Sequence, residues 1–443
     1  MSYQPSGRHQ KLNYWLENNI YQKIYLHFPA FKSRNFRLFF SGQTLSLSGT
    51  FMTQVTISWL IYDLTHSAWL LGLTGFLQFV PTLILTPFSG VLCDRWSRRN
   101  LLILVQVLGF IVSFALTTLT FLGFVDFRIL IFAAILGGLL KGLDMPVRYA
   151  IVIETVDERE HLSNAIALYS AILSSSMLIG PAIGGALLAT VGAKYCFLYD
   201  SLSYLAALLS LAAMKLRSTA KLDINQTNNT WQKLQEGLDY VYNLLPIRII
   251  LILLAWHGIA GISYMALLPI FAADILKGNG GTMGLLSAAS SVGSVIACVY
   301  LSLRRQVLGL ERLMALCPVA IGIGLIAFGL SREIWLSLLI LPVIGGAGIL
   351  KVSCGNTIIQ ALVEDDKRGR VMSLYSLAVI GTLPLGNLFA GTLAQQIGAP
   401  TTVIGCGIVC LLEAVWFARK LPLLRSWIRL KTHPPKELSK TAL

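Results

Sequence analysis

Five of the ionisable residues inside the long apolar stretches of this sequence are candidates for a function, because a charge is costly there. They are Lys141, Asp144, Asp200, His257 and Lys351. A carboxylate in such a place can bind and release a proton. The pattern therefore predicts contacts with protons or with a solute, and we take all five residues as candidates for this role.

Asp200 is our first choice for a group that binds a proton. It lies about seven residues into its apolar stretch from Ala193, which corresponds to roughly 10 Å along a helix. Tyr199 and Tyr204 are close to it in sequence. The alternative is an aspartate that is hydrated through an outer vestibule. Asp144 is our second choice.

Lys141 and Asp144 are three residues apart, so both can lie on one helix face and form an ion pair. In the alternative, Lys141 reaches the cytoplasmic interface and Arg148 pairs with Glu154. Lys351 occupies a place in the second half of the chain similar to that of Lys141 in the first.

Uncharged polar residues extend the candidate set. Gln54 and Gln78 lie in the first two apolar stretches, and polar residues there usually face a bundle interior or a cavity. His257 and Tyr264 are seven apart and share one helix face. The alternative for His257 is a packed, hydrogen-bonded side chain.

Membrane-spanning helices must position these residues. Of the 443 residues, 55% are hydrophobic and 13% are charged, against about 25% charged in a soluble domain. A span needs about 20 apolar residues. The sequence predicts an all-α integral membrane protein with twelve spans, at about 36–62, 69–92, 100–123, 128–150, 163–189, 194–214, 246–273, 281–303, 309–330, 334–355, 370–395 and 400–418.

The distribution of basic residues predicts the topology. The net charge is +14, and most of the 35 Lys and Arg residues fall in or beside alternate loops. Basic loops stay on the cytoplasmic side, so we expect both termini there. The anionic inner leaflet explains the basic excess, and we expect membrane lipids and no nucleic acid as partners.

The seven cysteines form no CxxC pair, so neither a disulfide framework nor a metal site is predicted. The N-terminus does not have the pattern of a cleaved signal peptide.

The chain divides into two similar halves. At an offset of 206 residues, Leu168-Tyr-Ser170 matches Leu374-Tyr-Ser376, and three glycines match as well. Parallel repeats of this kind are found in secondary transporters. The predicted organisation is a cytoplasmic tail (1–35), a six-helix half (36–214), a cytoplasmic linker (215–245), a second six-helix half (246–420) and a cytoplasmic tail (421–443).

A charged turn separates the second and third spans. Its pattern, G-x-x-x-D-R-x-x-R-R, resembles the loop 2–3 signature of the major facilitator superfamily, with Ser97 where a glycine is common. The resemblance implies a conformational latch, in which Asp94 meets the start of span 11 near Arg370 and the arginines contact acidic neighbours. The residues of the latch are Gly90, Asp94, Arg95, Arg98, Arg99 and Arg370.

Span 5 contains a second motif. Gly180 and Gly184 form a GxxxG face for close helix contact, and Pro181 favours a bend. With Gly185 they resemble the antiporter motif of the same superfamily, and we expect this face to pack on small residues of span 8. In span 4 many members carry a buried arginine where this chain has Gly138.

Together with the segment Arg368–Tyr375, these motifs resemble the drug and siderophore efflux branch of the superfamily, which includes enterobactin exporters. The resemblance covers about residues 36–420. It implies a monomeric exporter of a small amphiphilic molecule in the inner or plasma membrane, driven by a proton gradient without a cofactor. A lysophospholipid flippase and a nutrient importer of the same fold are the alternatives. The sequence contains neither a Walker A motif nor H-E-x-x-H, and the positions of Ser, His and Asp suggest no catalytic set, so we do not expect an enzyme.

Overall fold

The structure is a computed structural model that describes residues 28–156, 158–215, 239–304, 309–364 and 367–432. The side chains of residues 87–95, 159 and 428–432 are outside this description. The predicted N-terminal tail and linker therefore lie largely outside the described residues, as does the last part of the C-terminal tail. Of the latch residues, Gly90, Asp94 and Arg95 belong to the segment whose side chains are not described.

The described residues form twelve long helical segments, as the sequence predicts. Long apolar runs become helices because a helix satisfies all its backbone hydrogen bonds internally, which lipid requires. The helices are α1 (Arg34–Thr65), α2 (Ala68–Arg95), α3 (Arg98–Phe121), α4 (Phe127–Glu154), α5 (Leu162–Thr190), α6 (Ala193–Ala213), α7 (Leu245–Ile275), α8 (Gly280–Leu303), α9 (Leu310–Leu330), α10 (Ile334–Leu362), α11 (Arg368–Ile397) and α12 (Ala399–Thr432).

Eleven of these described segments are long and apolar enough to cross a membrane, and α1 is the exception. It has 32 residues, so length is not the reason. Many of its residues are Ser, Thr or Gln, and several bond to other helices inside the bundle. Ser46, for example, donates to Gln106 of α3 over 3.2 Å. α1 is therefore a polar, internal span.

The two halves repeat one packing scheme. In the first half α2 packs on α4, α3 packs on α6, and α1 lies against α5 and α6. In the second half α8 packs on α10 and α9 packs on α12 in the same manner. This is the arrangement of two six-helix halves expected for the major facilitator fold.

The halves meet through two glycine contacts. A Cβ atom added at Gly72 of α2 would lie 2.7 Å from Gly391 Cα of α11. One added at Gly185 of α5 would lie 2.5 Å from Gly284 Cα of α8. All four glycines lie near the turns α1–α2, α5–α6, α7–α8 and α11–α12, which are at the same end of the bundle. We call this the turn end.

The apolar core is distributed in the same way. Its largest described cluster joins both halves at the turn end and includes Ile61, Leu130, Phe271 and Phe328. Towards the opposite end the described core residues form two further clusters, one within each half. The halves are therefore packed together at the turn end.

Candidate functional site

A cavity of about 130 Å³ lies between the two halves. Five helices contribute to it, and its polar lining residues include Gln54 of α1, Gln78 of α2 and Asn387 of α11. Phe79 and Met265 supply apolar surface. A drug-sized ligand needs about 300–1,000 Å³, so the halves must separate before this cavity accepts one.

Lys141 of α4 lies beside this cavity and is half-buried. Its ammonium nitrogen lies 5.4 Å from the ring centroid of Phe79 and 5.9 Å from that of Phe51. No described carboxylate forms an ion pair with it. The predicted pair of Lys141 with Asp144 is therefore wrong, because Lys141 turns towards the two aromatic rings.

Asp144 pairs instead with Arg148, one helical turn further on. Arg148 Nε and Asp144 Oδ2 are 2.6 Å apart, and the guanidinium also donates to Gln43 of α1. Only 2% of the Arg148 side chain is exposed. The alternative pair of Arg148 with Glu154 is wrong too, because Glu154 accepts from Arg98 over 3.0 Å. The (i, i+4) spacing of Asp144 and Arg148 was the signal that sequence reasoning missed.

Gly138 explains why the arginine common in this superfamily is missing from α4. A Cβ atom there would lie 2.0 Å from the backbone oxygen of Gln78. The same crossing of α2 and α4 carries a hydrogen bond of 2.8 Å from the Thr82 hydroxyl to the Gly138 carbonyl. Only glycine fits at this position.

Asp200 is buried where α6 meets α1 and α3, and 2% of the residue is exposed. Its Oδ2 accepts hydrogen bonds from the hydroxyls of Thr53 (2.9 Å) and Ser113 (3.0 Å). Its Oδ1 is buried without a hydrogen-bond partner, and no described cation forms an ion pair with it. The alternative of a vestibule is wrong, because this carboxyl group is enclosed by three helices.

Gly49 of α1 makes this close packing possible. A Cβ atom at Gly49 would lie 2.6 Å from Asp200 Oδ1 and 3.1 Å from its Cα. The backbone of α1 therefore covers the carboxyl group directly.

A buried ion pair lies in the second half. Lys351 Nζ of α10 donates to Glu413 Oε1 of α12 over 2.6 Å. The exposed fractions of the two side chains are 0% and 3%. Glu413 points into the bundle and pairs with Lys351 rather than with Arg419 or Lys420, which are closer to it in sequence. Lys351 is thus charge-compensated and differs in this respect from Lys141.

His257 and Tyr264 are both buried in α7. His257 begins a π-helical turn, His257–Gly261, and its Nδ1 atom has no hydrogen-bond partner. π-Helical turns are frequent at functional sites. The Tyr264 hydroxyl is 2.8 Å from the Ser290 hydroxyl of α8. The two residues are not part of the cavity lining described above.

The arginines after α2 have different partners. Arg98 forms an ion pair of 3.0 Å with Glu154 at the end of α4. Arg99 donates to the backbone oxygens of Leu211 and Ala212 at the end of α6. The expected acidic partner of Arg99 is therefore wrong. Its partners are carbonyl groups at the end of a helix, which also attract a cation.

Ser97 accounts for the departure from the signature at that position. Its side chain accepts from the Asn100 backbone N–H over 3.2 Å and so caps α3. Serine is a preferred residue at a helix N-cap.

The four motif residues of α5 face two different helices. Cβ atoms at Gly180 and Gly184 would meet α1, at Phe51 and Met52. Gly185 faces Gly284 of α8, and the Ser291 hydroxyl of α8 donates to the Met177 backbone oxygen of α5 over 2.9 Å. The expected packing of span 5 on small residues of span 8 is therefore confirmed, but it is made by Gly185, and the Gly180–Gly184 face packs on α1 instead. Pro181 lies inside α5, and its carbonyl is 2.7 Å from a Cβ placed at Gly284.

Polar contacts also join the halves at the turn end. The Tyr62 hydroxyl of α1 donates to Asp274 of α7. The side-chain oxygen of Gln395 in α11 accepts from the Ser67 hydroxyl (3.3 Å) and from the Trp69 backbone N–H (3.2 Å). These bonds and the glycine contacts close the bundle at this end.

Comparisons with known proteins agree with this architecture. A family model described as transmembrane secretion effector matches residues 27–440. The staphyloferrin A transporter of Staphylococcus aureus (strain NCTC 8325 / PS 47) is 26% identical over 391 residues, which cover 87% of this chain and 97% of the relative.

The multidrug efflux pump Tap of Mycolicibacterium fortuitum is 22% identical over 384 residues, covering 85% and 93% of the two chains. Among solved structures, a peptide transporter POT superposes with a TM-score of 0.70 at 12% identity, over 89% of this chain and 95% of that one.

Proposed function

The chain belongs to the transmembrane secretion effector family of the major facilitator superfamily, and we propose that it exports a small amphiphilic molecule in exchange for protons. It is a multi-pass membrane transporter and not an enzyme, with relatives of the drug and siderophore efflux type. Proton coupling, the substrate and the direction of transport belong to the proposal. So do a plasma-membrane location, cytoplasmic termini, a monomeric state and the absence of a cofactor.

The environment of Asp200 carries the proposal of proton coupling. An ionised carboxylate without a cation in a dry site loses several kcal/mol of solvation, by a rough general estimate. Asp144 and Glu413 each have a cation within 2.6 Å, whereas the neighbours of the Asp200 carboxyl group are hydroxyls, among them those of Thr53 and Ser113, and no described cation pairs with it. In this conformation Asp200 is therefore best accommodated with a proton bound.

Opening of the bundle gives a route for proton release. Oδ1 of Asp200 touches the backbone of α1, and the neighbouring Thr53 hydroxyl bonds Oδ2. A tilt of α1 against α6 that opens the carboxyl group to the cytoplasm would hydrate it and let it release its proton there. For antiport, the proton is then taken up again from the outer side once the turn end has opened. If the proton binds with different affinity to the two conformations, the proton gradient shifts the equilibrium between them. Uphill transport requires such a shift.

The arrangement of the halves defines the conformation, and the names of the relatives suggest the direction of transport. The predicted topology places the turn end outside, so the described conformation is closed outwards. A substrate would then enter from the cytoplasm and leave after the contacts Gly72–Gly391 and Gly185–Gly284 separate. The names of the two relatives, a staphyloferrin A transporter and a multidrug efflux pump, favour outward movement of a siderophore or drug.

Inside-out membrane vesicles test this function. With an acidic lumen, protons leave towards the bath and should drive accumulation of staphyloferrin A, or of an aromatic carboxylate such as dansylglycine, in the lumen. Dissipating the pH gradient with an ionophore should return the lumenal concentration to that of the bath. Vesicles from cells without the protein are the control. Accumulation that is driven only by an alkaline lumen would instead indicate an importer that moves substrate and proton together.

A further inference from the structure

Three cations are buried or half-buried in the middle of described helices, and Lys141 differs from the other two. Arg148 has Asp144 as its partner, and Lys351 has Glu413. Lys141 has no carboxylate partner among the described residues. The nearby Asp144 carboxylate attracts the Lys141 ammonium but is already paired with Arg148. An ammonium group without an ion pair at membrane depth is costly, and such residues mark solute pathways.

The position of Lys141 connects it with the cavity between the halves. Ala134 of α4 lines that cavity, and Lys141 follows seven residues later on the same helix face, about 10 Å along the axis. Phe79 links the two directly, because its ring lines the cavity and lies 5.4 Å from the ammonium nitrogen.

We infer that Lys141 binds a monoanionic group of the transported molecule, of the carboxylate type, beside its apolar or aromatic part. This inference rests on the proposed function, because it names the chemical class of the substrate. One ammonium group balances one negative charge, so a single carboxylate leaves the site neutral. The rings of Phe51 and Phe79 hold the ammonium by cation–π contact and offer a face for the apolar part. Gln54 and Gln78 add hydrogen-bonding groups nearby.

The test uses dansylglycine, a fluorescent aromatic carboxylate, and its uncharged methyl ester as a matched probe. The full-length protein is placed in nanodiscs of phosphatidylcholine, and dansyl fluorescence reports binding. We expect the wild-type protein to bind the carboxylate about tenfold more tightly than the ester. A tenfold difference in affinity corresponds to about 1.4 kcal/mol, which a modest charge interaction can supply. Lys141→Gln should remove this preference by weakening carboxylate binding alone, and Lys141→Arg should retain it.

Lys194→Gln is the matched control. The Lys194 ammonium also lies over two rings, 5.3 Å from Phe121 and 5.4 Å from Tyr195, but it lies at the start of α6, away from the cavity lining. This variant should keep the preference for the carboxylate.

Three results would overturn the inference: no preference in the wild-type protein, a preference that survives Lys141→Gln, or equal weakening of both probes by Lys141→Gln. The last would show that Lys141 only supports the packing of the two rings. The binding test and the transport test can fail independently. A protein that performs no gradient-driven transport can still prefer the carboxylate through Lys141, so a negative transport result would overturn the proposed function and leave this inference in place.

Discussion

Gly185→Leu is expected to abolish transport while the protein still inserts into the membrane. A Cβ atom at this position already lies 2.5 Å from Gly284 Cα, so a leucine cannot be accommodated while α5 and α8 stay in contact. Overpacking of a tight contact costs about 1–3 kcal/mol. The whole cost falls on the conformation that is closed at the turn end, and its population relative to the open conformation should decrease by about 5- to 150-fold.

Two measurements check this prediction. Uptake of substrate into proteoliposomes gives the rate, and a pair of spin labels on α5 and α8 reports whether the turn end has opened. Gly405→Leu is the matched control, since a Cβ atom at Gly405 of α12 would meet nothing within 4 Å. Wild-type rates and label distances in Gly185→Leu, at normal abundance, would contradict the assigned role of this contact.

Glu413→Leu is expected to destabilise the protein more than any exposed charge change. It leaves the Lys351 ammonium, with an exposed fraction of 0%, without its partner at 2.6 Å. Removing one member of a buried pair costs about 3–5 kcal/mol, whereas replacing both members by apolar residues is often neutral. The double variant Lys351→Met/Glu413→Leu should therefore recover most of the lost stability.

Thermal unfolding in detergent, followed by intrinsic fluorescence, measures this effect. Arg128→Met is the comparison, because Arg128 and its partner Asp126, 3.9 Å apart, have side chains that are 82% and 52% exposed. Its loss should cost no more than about 1 kcal/mol. Equal melting temperatures for Glu413→Leu and the wild-type protein would show that Lys351 finds another partner or loses its charge.

The sequence predicts the helices well because lipid imposes a minimum length and a helical backbone on every span. Where a residue faces is harder to predict. Neighbouring residues differ by about 100° around a helix axis, so Gly184 and Gly185 meet different helices although they belong to one motif. Which of the two faces α8 depends on the rotation of α5, which the sequence pattern does not specify.

The ion pairs show the same limit. By spacing alone, Asp144 can pair with Lys141, three residues before it, or with Arg148, four residues after it. The structure shows the Lys141 ammonium near the rings of Phe79 and Phe51, which lie on other helices and cannot be placed from the local sequence. Lys351 and Glu413 are 62 residues apart on different helices, and no local spacing relates them. Asp200 was predictable because the depth of a carboxylate in a span can be read from the sequence directly. Its enclosure by Gly49, Thr53 and Ser113 was not.

Proton-coupled export through Asp200 is the central claim, and the Asp200→Asn variant tests it most directly. Asparagine keeps the size and much of the hydrogen bonding of aspartate but cannot bind and release a proton at neutral pH. Inside-out proteoliposomes with an acidic lumen are loaded with wild-type protein, Asp200→Asn or Ser113→Ala. The last removes one hydroxyl donor to the carboxyl group and keeps the carboxyl group itself.

Two quantities are measured for the probe that the wild-type protein accumulates in inside-out vesicles. One is its accumulation in the lumen under a pH gradient, and the other is its exchange across the membrane without a gradient. We expect Asp200→Asn to retain exchange and to lose gradient-driven accumulation, and Ser113→Ala to retain both. Unchanged gradient-driven accumulation in Asp200→Asn would contradict the claim and would move the coupling group to another carboxylate.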